Sequence, residues 1–163
     1  MISDQYNFRV ATADDSHALM ELINEAFQIE RVIFSNDRIE LADVLEHMQK
    51  GTFTVTRSGD KIVGCVYTEL KDGRGYFGLL SVAPSEQGRG LGAKLIAESE
   101  DLCRKAGLKL MYIKTINLRT ELPPYYQKFG YTIVREEFPE IEPTALQPYH
   151  FVIMEKSLDI AGS

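Results

Sequence analysis

A glycine-rich turn between an apolar strand and a long amphipathic helix constrains this chain more than any other feature. Pro84 closes the apolar run from Phe77 to Ala83, and Gln87-Gly-Arg-Gly-Leu-Gly92 opens a helix predicted from Gly88 to about Ala106. Backbone N–H groups at a helix start have no partner, and glycines leave them uncovered at the positive end of the helix dipole. The turn is therefore predicted to bind an anion such as a phosphate or pyrophosphate.

Two common classes of nucleotide-binding loop do not fit this turn. Gly88-x-Gly90-x-x-Ala93 follows the dinucleotide-binding pattern, but residues 105–120 contain no Asp or Glu where that pattern needs an acid about 20 positions later. A kinase-type or GTPase-type loop needs Gly-Lys-Ser/Thr, whereas Gly92 is followed by Ala-Lys-Leu. Both nucleotide classes are disfavoured.

Two separated motifs resemble those of one family. Gln87-x-x-Gly90-x-Gly92, after the strand Leu79-Leu-Ser-Val82, resembles the acetyl-CoA loop of the GNAT superfamily of N-acetyltransferases. Tyr126-Gln-Lys-Phe-Gly130-Tyr131, downstream of Asn117, resembles that family's Tyr-x-x-x-Gly-Phe/Tyr segment. The resemblance runs from about Val55 to Leu158, with the motifs in the family's order. It implies acetyl-CoA as cosubstrate and an amine that attacks the thioester directly in a ternary complex.

Composition is that of a soluble globular protein. The 163 residues are 44% hydrophobic and 26% charged, which predicts one domain over 1–163. A net charge of −6 disfavours nucleic-acid and anionic-membrane partners and suits a cationic acceptor such as an amine. No basic-then-apolar leader and no run approaching roughly 18 apolar residues is present, so a cytoplasmic protein is expected. Cys65 and Cys103 are expected to be buried, reduced thiols.

Hydrophobic periodicity predicts a mixed, mostly antiparallel central sheet of about seven strands with helices on both faces. Strands are expected at 8–11, 52–57, 61–70, 76–83, 108–116, 131–137 and 149–156, and helices after Thr12, from about Asp37 to Gly51, from Gly88, and after Pro123-Pro124. The crossover helix makes strand 108–116 parallel to strand 76–83. In the family this parallel pair splays apart, and the gap would admit the thioester.

The resemblance also implies the residues that contact the cofactor. The backbone of the strand would bond the pantetheine arm, the loop amides would bind the pyrophosphate, and the N–H of Val82 would be the oxyanion donor. Asn117 follows the strand as in family members, although its spacing to Tyr126 is longer than usual. The implied set is Leu80, Ser81, Val82, Gln87, Gly88, Arg89, Gly90, Leu91, Gly92, Ala93, Asn117 and Tyr126.

Two catalytic roles follow from the resemblance. Tyr126 matches the family's general acid, a phenol that protonates the departing thiolate, and Tyr125 is the alternative. The general base comes from the third or fourth strand or from water, and Glu69 is expected to fill this role, with Tyr76 also available. No histidine, cysteine and carboxylate cluster has the spacing of metal ligands, so no metal is expected.

The sequence does not identify the acceptor. The segments expected to select it are Gln28–Phe34 and Phe138–Thr144, whose Glu30, Glu140 and Glu142 could attract a cationic acceptor. The primary prediction is acetyl transfer to a primary amine of a small molecule or protein. The alternatives are an acyltransferase that uses another acyl-CoA or acts on oxygen, and a CoA-binding sensor without catalysis. A homodimer is left open because dimers are frequent in the family.

Overall fold

In the computed structural model, which describes residues 6–140 and 142–158, seven strands and four α-helices follow one another along the chain. They are β1 (Phe8–Val10), α1 (Ser16–Ala26), α2 (Leu41–Lys50), β2 (Thr52–Ser58), β3 (Lys61–Lys71), β4 (Arg74–Val82), α3 (Leu91–Lys105), β5 (Leu110–Ile116), α4 (Leu122–Gln127), β6 (Thr132–Glu137) and β7 (Phe151–Ser157). Short 3-10 turns cover Ala13–Asp15, Gln28–Val32 and Pro84–Glu86.

The strands form one sheet in the order β1-β2-β3-β4-β5-β7-β6. Neighbours pair antiparallel except β4 and β5, which are parallel because α3 crosses over between them. The fold class predicted from the sequence is confirmed, including the number of strands and the single parallel pair. The parallel pair lies at the centre of the sheet.

Helices cover both faces of this sheet. A Cβ at Gly64 of β3 would lie 2.9 Å from Leu91 of α3, whereas Tyr67 of the same strand packs on His47 of α2 with ring centroids 4.7 Å apart. Residues three apart in a strand face opposite sides, so α3 lies on one face and α2 on the other. Both faces are filled mainly by buried aliphatic and aromatic side chains.

Both cysteines lie in this core and are free, as the sequence predicted. Burial raises the pKa of the Cys65 thiol to about 12 and that of the Cys103 thiol to about 11. Neither thiol is therefore a thiolate nucleophile near neutral pH.

The start of α2 differs from the sequence prediction. The helix begins at Leu41 and not near Asp37, because the side-chain amide of Asn24 bonds both the C=O and the N–H of Ile39, at 2.9 and 3.0 Å. Ile39 is thereby buried ahead of the helix, and Glu40 after it has extended backbone. This interaction joins α1 to residues far along the chain, and local periodicity does not reveal it.

No helix in the described part of the chain combines the length and the apolar character that crossing a bilayer requires.

Candidate active site

A cleft opens where the parallel strands β4 and β5 separate. The two strands pair only at Gly75 with Met111 and at Tyr76 with Tyr112. Beyond this point β4 carries one extra residue, since Cys65 pairs with Ser81 while Tyr67 pairs with Gly78. Such a bulge bends its strand and increases the local twist, which carries β4 away from β5.

The bulge has a strained backbone. Leu79 has a φ of +54°, a conformation that is uncommon outside glycine. Its neighbour Gly78 lies under the hydroxyl of Tyr76, which would overlap a Cβ at position 78. The bulge was not predicted from the sequence, although Gly78 inside the strand is the kind of residue that often marks one.

The cleft has a volume of about 970 Å³, at the upper end of the range for small-ligand pockets. It runs from the start of α3, along β4 and β5, to the turn at 28–32 and the segment before β7. Nine of the residues predicted to bind the cofactor or act in catalysis line it: Leu80, Val82, Gln87, Gly88, Gly90, Leu91, Gly92, Ala93 and Tyr126.

The glycine-rich turn places backbone N–H groups that lack a helical acceptor at one end of this cleft. Gly88 and Gly90 have φ values of +80° and +79°, which require glycine. The first hydrogen bond of α3 runs from Lys94 N to Gly90 O at 3.2 Å, so helix geometry provides no acceptor for the N–H groups of residues 91–93. The helix begins at Leu91 and not at Gly88 as predicted, because the backbone of Gly90 is left-handed.

Gly92 lacks a side chain for a different reason. It lies within the helix, and a Cβ at this position would be 2.6 Å from the hydroxyl oxygen of Tyr125. Tyr125 on α4 therefore reaches across the cleft to the first turn of α3. Sequence reasoning considered Tyr125 only as an alternative acid and missed this contact, which joins residues 33 positions apart.

Val82 ends β4 at the edge of the cleft. The N–H of the next residue, Ala83, donates to Val63 O on β3 at 2.8 Å. Since successive peptide groups of a strand point in opposite directions, the N–H of Val82 is directed away from β3, toward the cleft. The side-chain NH₂ group of Gln87 donates a hydrogen bond to Val82 O at 3.4 Å, so the Gln87 side chain lies at the same edge of the cleft.

Tyr126 lies deeper in the cleft, against β4. Its ring packs on Phe77 at 5.8 Å and on Tyr131 at 6.4 Å between centroids. Burial raises the pKa of its phenol well above the usual 10, while the charge of Arg119 partly opposes that rise. Its hydroxyl makes no hydrogen bond within residues 6–140 and 142–158, and it therefore remains a protonated, available donor near neutral pH.

Three residues predicted to bind the cofactor do not line the cleft, and their side chains bond to other groups of the protein. Ser81 is 1% exposed, and its hydroxyl donates to Leu79 O at 3.0 Å. Arg89 pairs with Glu86 at 3.2 Å. The side-chain oxygen of Asn117 accepts from His150 N at 2.7 Å, which joins the end of β5 to the segment that enters β7.

The proposed base also lies outside the cleft lining, next to a residue that is inside it. Glu69 pairs across the strands with Tyr76, which lines the cleft. The Glu69 carboxylate accepts a hydrogen bond of 2.5 Å from the hydroxyl of Tyr67. Burial is the main cause that raises the pKa of the Tyr76 phenol. Tyr76 is thus the cross-strand neighbour through which Glu69 adjoins the cleft.

The opposite end of the cleft is lined by residues of the two segments predicted to select the acceptor, among them Phe34 and Thr144. They are joined by bonds from Ser35 N to Thr144 O at 2.9 Å and from Leu146 N to Ile33 O at 2.7 Å. Glu30, which is 6% exposed, pairs with Arg119 at 3.1 Å. Sequence reasoning missed Arg119, and its guanidinium neutralises the glutamate that was considered as an attractant for a cationic acceptor.

In the described ranges, no group of three or more His, Cys, Asp or Glu side chains is placed to hold a metal ion.

Comparison with known proteins identifies relatives of both the sequence and the fold. Residues 24–158 match the family model described as an acetyltransferase (GNAT) domain. The chain is 31% identical over 121 residues to the amino-acid acetyltransferase of Ralstonia nicotianae, which covers 73% of this chain and 25% of that protein. The chain thus spans about a quarter of the length of the curated relative that it matches.

Two solved structures illustrate the likeness in fold. The ribosomal-protein-S18-alanine N-acetyltransferase from Escherichia coli superposes with a TM-score of 0.76 at 14% identity, covering 98% of this chain and 97% of that chain. The yncA protein from Salmonella typhimurium, determined with its cofactor acetyl-CoA, has a TM-score of 0.73 at 20% identity, covering 94% of each chain. At these identities the likeness concerns the fold.

Proposed function

The chain belongs to the GNAT family of acetyltransferases, and on this premise we propose that it transfers the acetyl group of acetyl-CoA to a primary amine of a small molecule or protein by direct attack in a ternary complex. The observation that carries the proposal is the cleft between β4 and β5. At one end it has the first amides of α3, for which helix geometry provides no acceptor, and in its interior it has the Tyr126 hydroxyl, which makes no hydrogen bond within the described residues.

The cleft has the chemistry that CoA requires. The amides of Gly88 to Ala93 hold the diphosphate, and a Cβ added at Gly88 or Gly90 would meet no atom within 4 Å, so a ligand can approach the backbone closely. The exposed backbone of Leu80 and Val82 bonds the amides of the pantetheine arm. Ser81 contributes at most its backbone, and Arg89 and Asn117 act by shaping the loop and the end of β5.

Two groups of the protein act on the thioester. The N–H of Val82 stabilises the charge that develops on the carbonyl oxygen, because this donor already points into the cleft. Tyr126 donates its proton to the sulfur that leaves. Its raised pKa keeps that proton in place near neutral pH until the thiolate, a stronger base than a thioester sulfur, appears beside it.

Glu69 receives the proton of the amine in this proposal. Because its carboxylate does not line the cleft, the proton passes through a water or the hydroxyl of Tyr76, its cross-strand neighbour. The hydrogen bond from Tyr67 holds the carboxylate in a fixed orientation. In this arrangement Tyr67 is a positioning residue.

The activities named for two of the relatives favour a nitrogen acceptor over an oxygen acceptor. The curated relative acts on an amino acid, and one of the structural neighbours is an alanine N-acetyltransferase. The single domain over 1–163 and the cytoplasmic location stay predictions of the sequence, and a homodimer stays open.

Calorimetry with CoA and a thiol-release assay over a panel of amines test the proposal. Heat of CoA binding together with acetyl-CoA turnover on at least one amine is the expected result. Binding without turnover on any amine or alcohol would favour the CoA-binding sensor, and preference for a longer acyl-CoA would favour the other acyltransferase. A protein that binds no CoA contradicts all three.

Two glycines with the same backbone requirement provide a matched pair of variants. Gly90→Ala and Gly59→Ala both place a Cβ at positive φ, +79° and +62°, and neither Cβ meets an atom within 4 Å. Each substitution is expected to destabilise the folded state by about 1 kcal/mol, because alanine is strained at positive φ. Gly59 lies in the β2–β3 turn, away from the cleft, so only Gly90→Ala is expected to weaken CoA binding.

A further inference from the structure

Tyr125 spans the cleft from α4 to the first turn of α3. Its half-buried side chain lines the cleft. The ring packs edge-on against Tyr126 at 5.1 Å and against Phe129 at 5.2 Å between centroids. Two perpendicular ring contacts fix the plane and direction of the phenol, so the position of its hydroxyl is determined by packing.

The hydroxyl lies directly beside Gly92. A Cβ there would be 2.6 Å from the Tyr125 oxygen, but 3.9 Å from the ring carbon that carries it. Unlike Gly88 and Gly90, Gly92 has no positive φ, so its backbone does not require glycine. The space that the missing side chain leaves is filled by this hydroxyl.

Among the described residues, no hydrogen bond is made to the Tyr125 hydroxyl, and Lys128 Nζ lies over the ring at 5.9 Å from its centroid. Burial raises the pKa of the phenol, so it carries its proton near neutral pH. A half-buried hydroxyl that has no hydrogen-bond partner costs free energy, because it has lost part of its contact with water. A ligand that accepts its hydrogen bond offsets that cost.

The structure points to a ligand group at this place. The N–H groups of residues 91–93 have no helical acceptor, and they lie in the same turn as Gly92. A phosphate held on those amides offers charged oxygens, and a phenol hydrogen bond to a charged oxygen is stronger than one to a neutral group.

We propose that Tyr125 is a cofactor-binding residue whose hydroxyl donates a hydrogen bond to the diphosphate of CoA, and that residue 92 is glycine to admit that hydroxyl. The inference rests on the proposed function, because it takes CoA as the ligand. It divides two adjacent tyrosines between two tasks: Tyr125 binds the cofactor, whereas Tyr126 protonates the leaving sulfur.

Calorimetry of CoA binding to Tyr125→Phe tests the contact. The phenyl ring keeps the packing against Tyr126 and Phe129, so thermal unfolding should match that of the wild type. Loss of one hydrogen bond to a charged group is expected to raise the CoA Kd about tenfold or more. The kcat at saturating acetyl-CoA should stay within about threefold of the wild type, as expected for a group that binds the cofactor equally before and during reaction.

Tyr149→Phe is the matched control. Tyr149 also lines the cleft, but its hydroxyl donates to Glu142 at the acceptor end, at 3.1 Å. Its loss should leave the CoA Kd unchanged. Equal weakening by both variants would show a general effect of cleft hydroxyls and would overturn the assignment to Tyr125.

A double-mutant cycle with Gly92→Ala tests the steric part. In the wild-type background the new Cβ meets the Tyr125 oxygen, so the CoA Kd should rise. In the Tyr125→Phe background the nearest remaining atom of that ring is at 3.9 Å, so Gly92→Ala should add little. An equal added loss in both backgrounds would contradict the explanation of Gly92.

The use of S-acetylpantetheine locates the contact along the cofactor. Tyr125→Phe should lower kcat/KM for acetyl-CoA much more than for S-acetylpantetheine, which lacks the diphosphate. Equal losses would place the contact on the pantetheine arm and overturn the proposal, as would an unchanged CoA Kd. Wild-type protein that binds no CoA would instead contradict the proposed function itself.

Discussion

Two neighbouring tyrosines, one partly buried and one fully buried, have opposite expected roles and provide the sharpest test of the proposed chemistry. Tyr126 and Tyr131 both pack on Phe77, with their own ring centroids 6.4 Å apart. The Tyr131 hydroxyl donates to Glu100 at 2.7 Å in the core, whereas the Tyr126 hydroxyl has no hydrogen-bond partner in the part of the chain that is described. Replacing each by phenylalanine removes one oxygen and retains the ring.

Tyr126→Phe should damage turnover and spare stability. No protein hydrogen bond is lost, so the free energy of unfolding should change by less than about 0.5 kcal/mol. Loss of a general acid typically lowers the rate about 10²- to 10⁴-fold, which corresponds to about 3–5 kcal/mol of activation free energy. The CoA Kd should stay within about threefold of the wild-type value, because the acid acts on the sulfur only as it leaves.

Tyr131→Phe should have the reverse effect. Its hydroxyl is one of the donors to the buried carboxylate of Glu100, which Lys156 also bonds at 3.0 Å. Loss of a hydrogen bond to a charged group costs about 1.5–3 kcal/mol. For a domain of this size that lowers the Tm by roughly 3–12 °C. The kcat at 25 °C should stay within about twofold of the wild type, since Tyr131 does not line the cleft.

Steady-state thiol release at saturating acetyl-CoA measures kcat, and circular dichroism on heating measures the Tm of the same preparations. The expected outcome is a crossed pattern, with Tyr126→Phe inactive and stable and Tyr131→Phe active and less stable. If Tyr126→Phe retains more than about a tenth of the wild-type kcat, Tyr126 is not the acid. If the two variants lose activity and stability together, the assignment of separate roles from hydrogen bonding is wrong.

Three further predictions follow from other parts of the chain. Glu69→Gln should lower kcat/KM for the amine at least about tenfold in the thiol-release assay, and unchanged turnover would remove Glu69 as the base. Gly75→Ala places a Cβ that would overlap the sulfur of Cys103 in the core and should cost about 1–3 kcal/mol in urea unfolding; an unaltered midpoint would mean that this part of the core repacks freely. The Arg9 guanidinium lowers the pKa of Asp15 to about 2, so the pair stabilises the fold above the ordinary carboxyl pKa and this contribution is lost as the pH falls through 2. The Tm of the wild type should therefore fall more steeply than that of Asp15→Asn between about pH 4 and pH 2, and parallel curves would contradict the linkage.

Local chemistry made much of the fold predictable. The apolar runs and their turn residues predicted each strand, and a crossover helix between two of them left only a parallel pairing. Gly88 and Gly90 were recognisable because their role depends on their own backbone, which has the positive φ that the motif implies. Tyr126 was found through its spacing to Gly130 and Tyr131, which the resemblance supplied.

The partners of the site residues were not predictable in the same way. The bulge at Leu79 that opens the cleft arises from the pairing of β4 with β3, and Gly78 inside the strand does not by itself distinguish a bulge from a close contact. Asn117, expected at the cofactor, is bonded to His150 from a distant part of the chain. Glu30 was considered as a free negative charge, but Arg119 neutralises it across the cleft.

The sequence by itself determined the order of the elements, the parallel pair and the glycine turn that leaves amides free, because these depend on neighbouring residues and on short periodicities. Only the tertiary structure decided which side chains face the cleft, that Glu69 lies outside the cleft lining beside Tyr76, and that Gly92 makes room for Tyr125. Those outcomes depend on contacts between residues that are far apart in the chain. The packing of the helices on the sheet determines the distances between such residues, and no local sequence pattern specifies that packing.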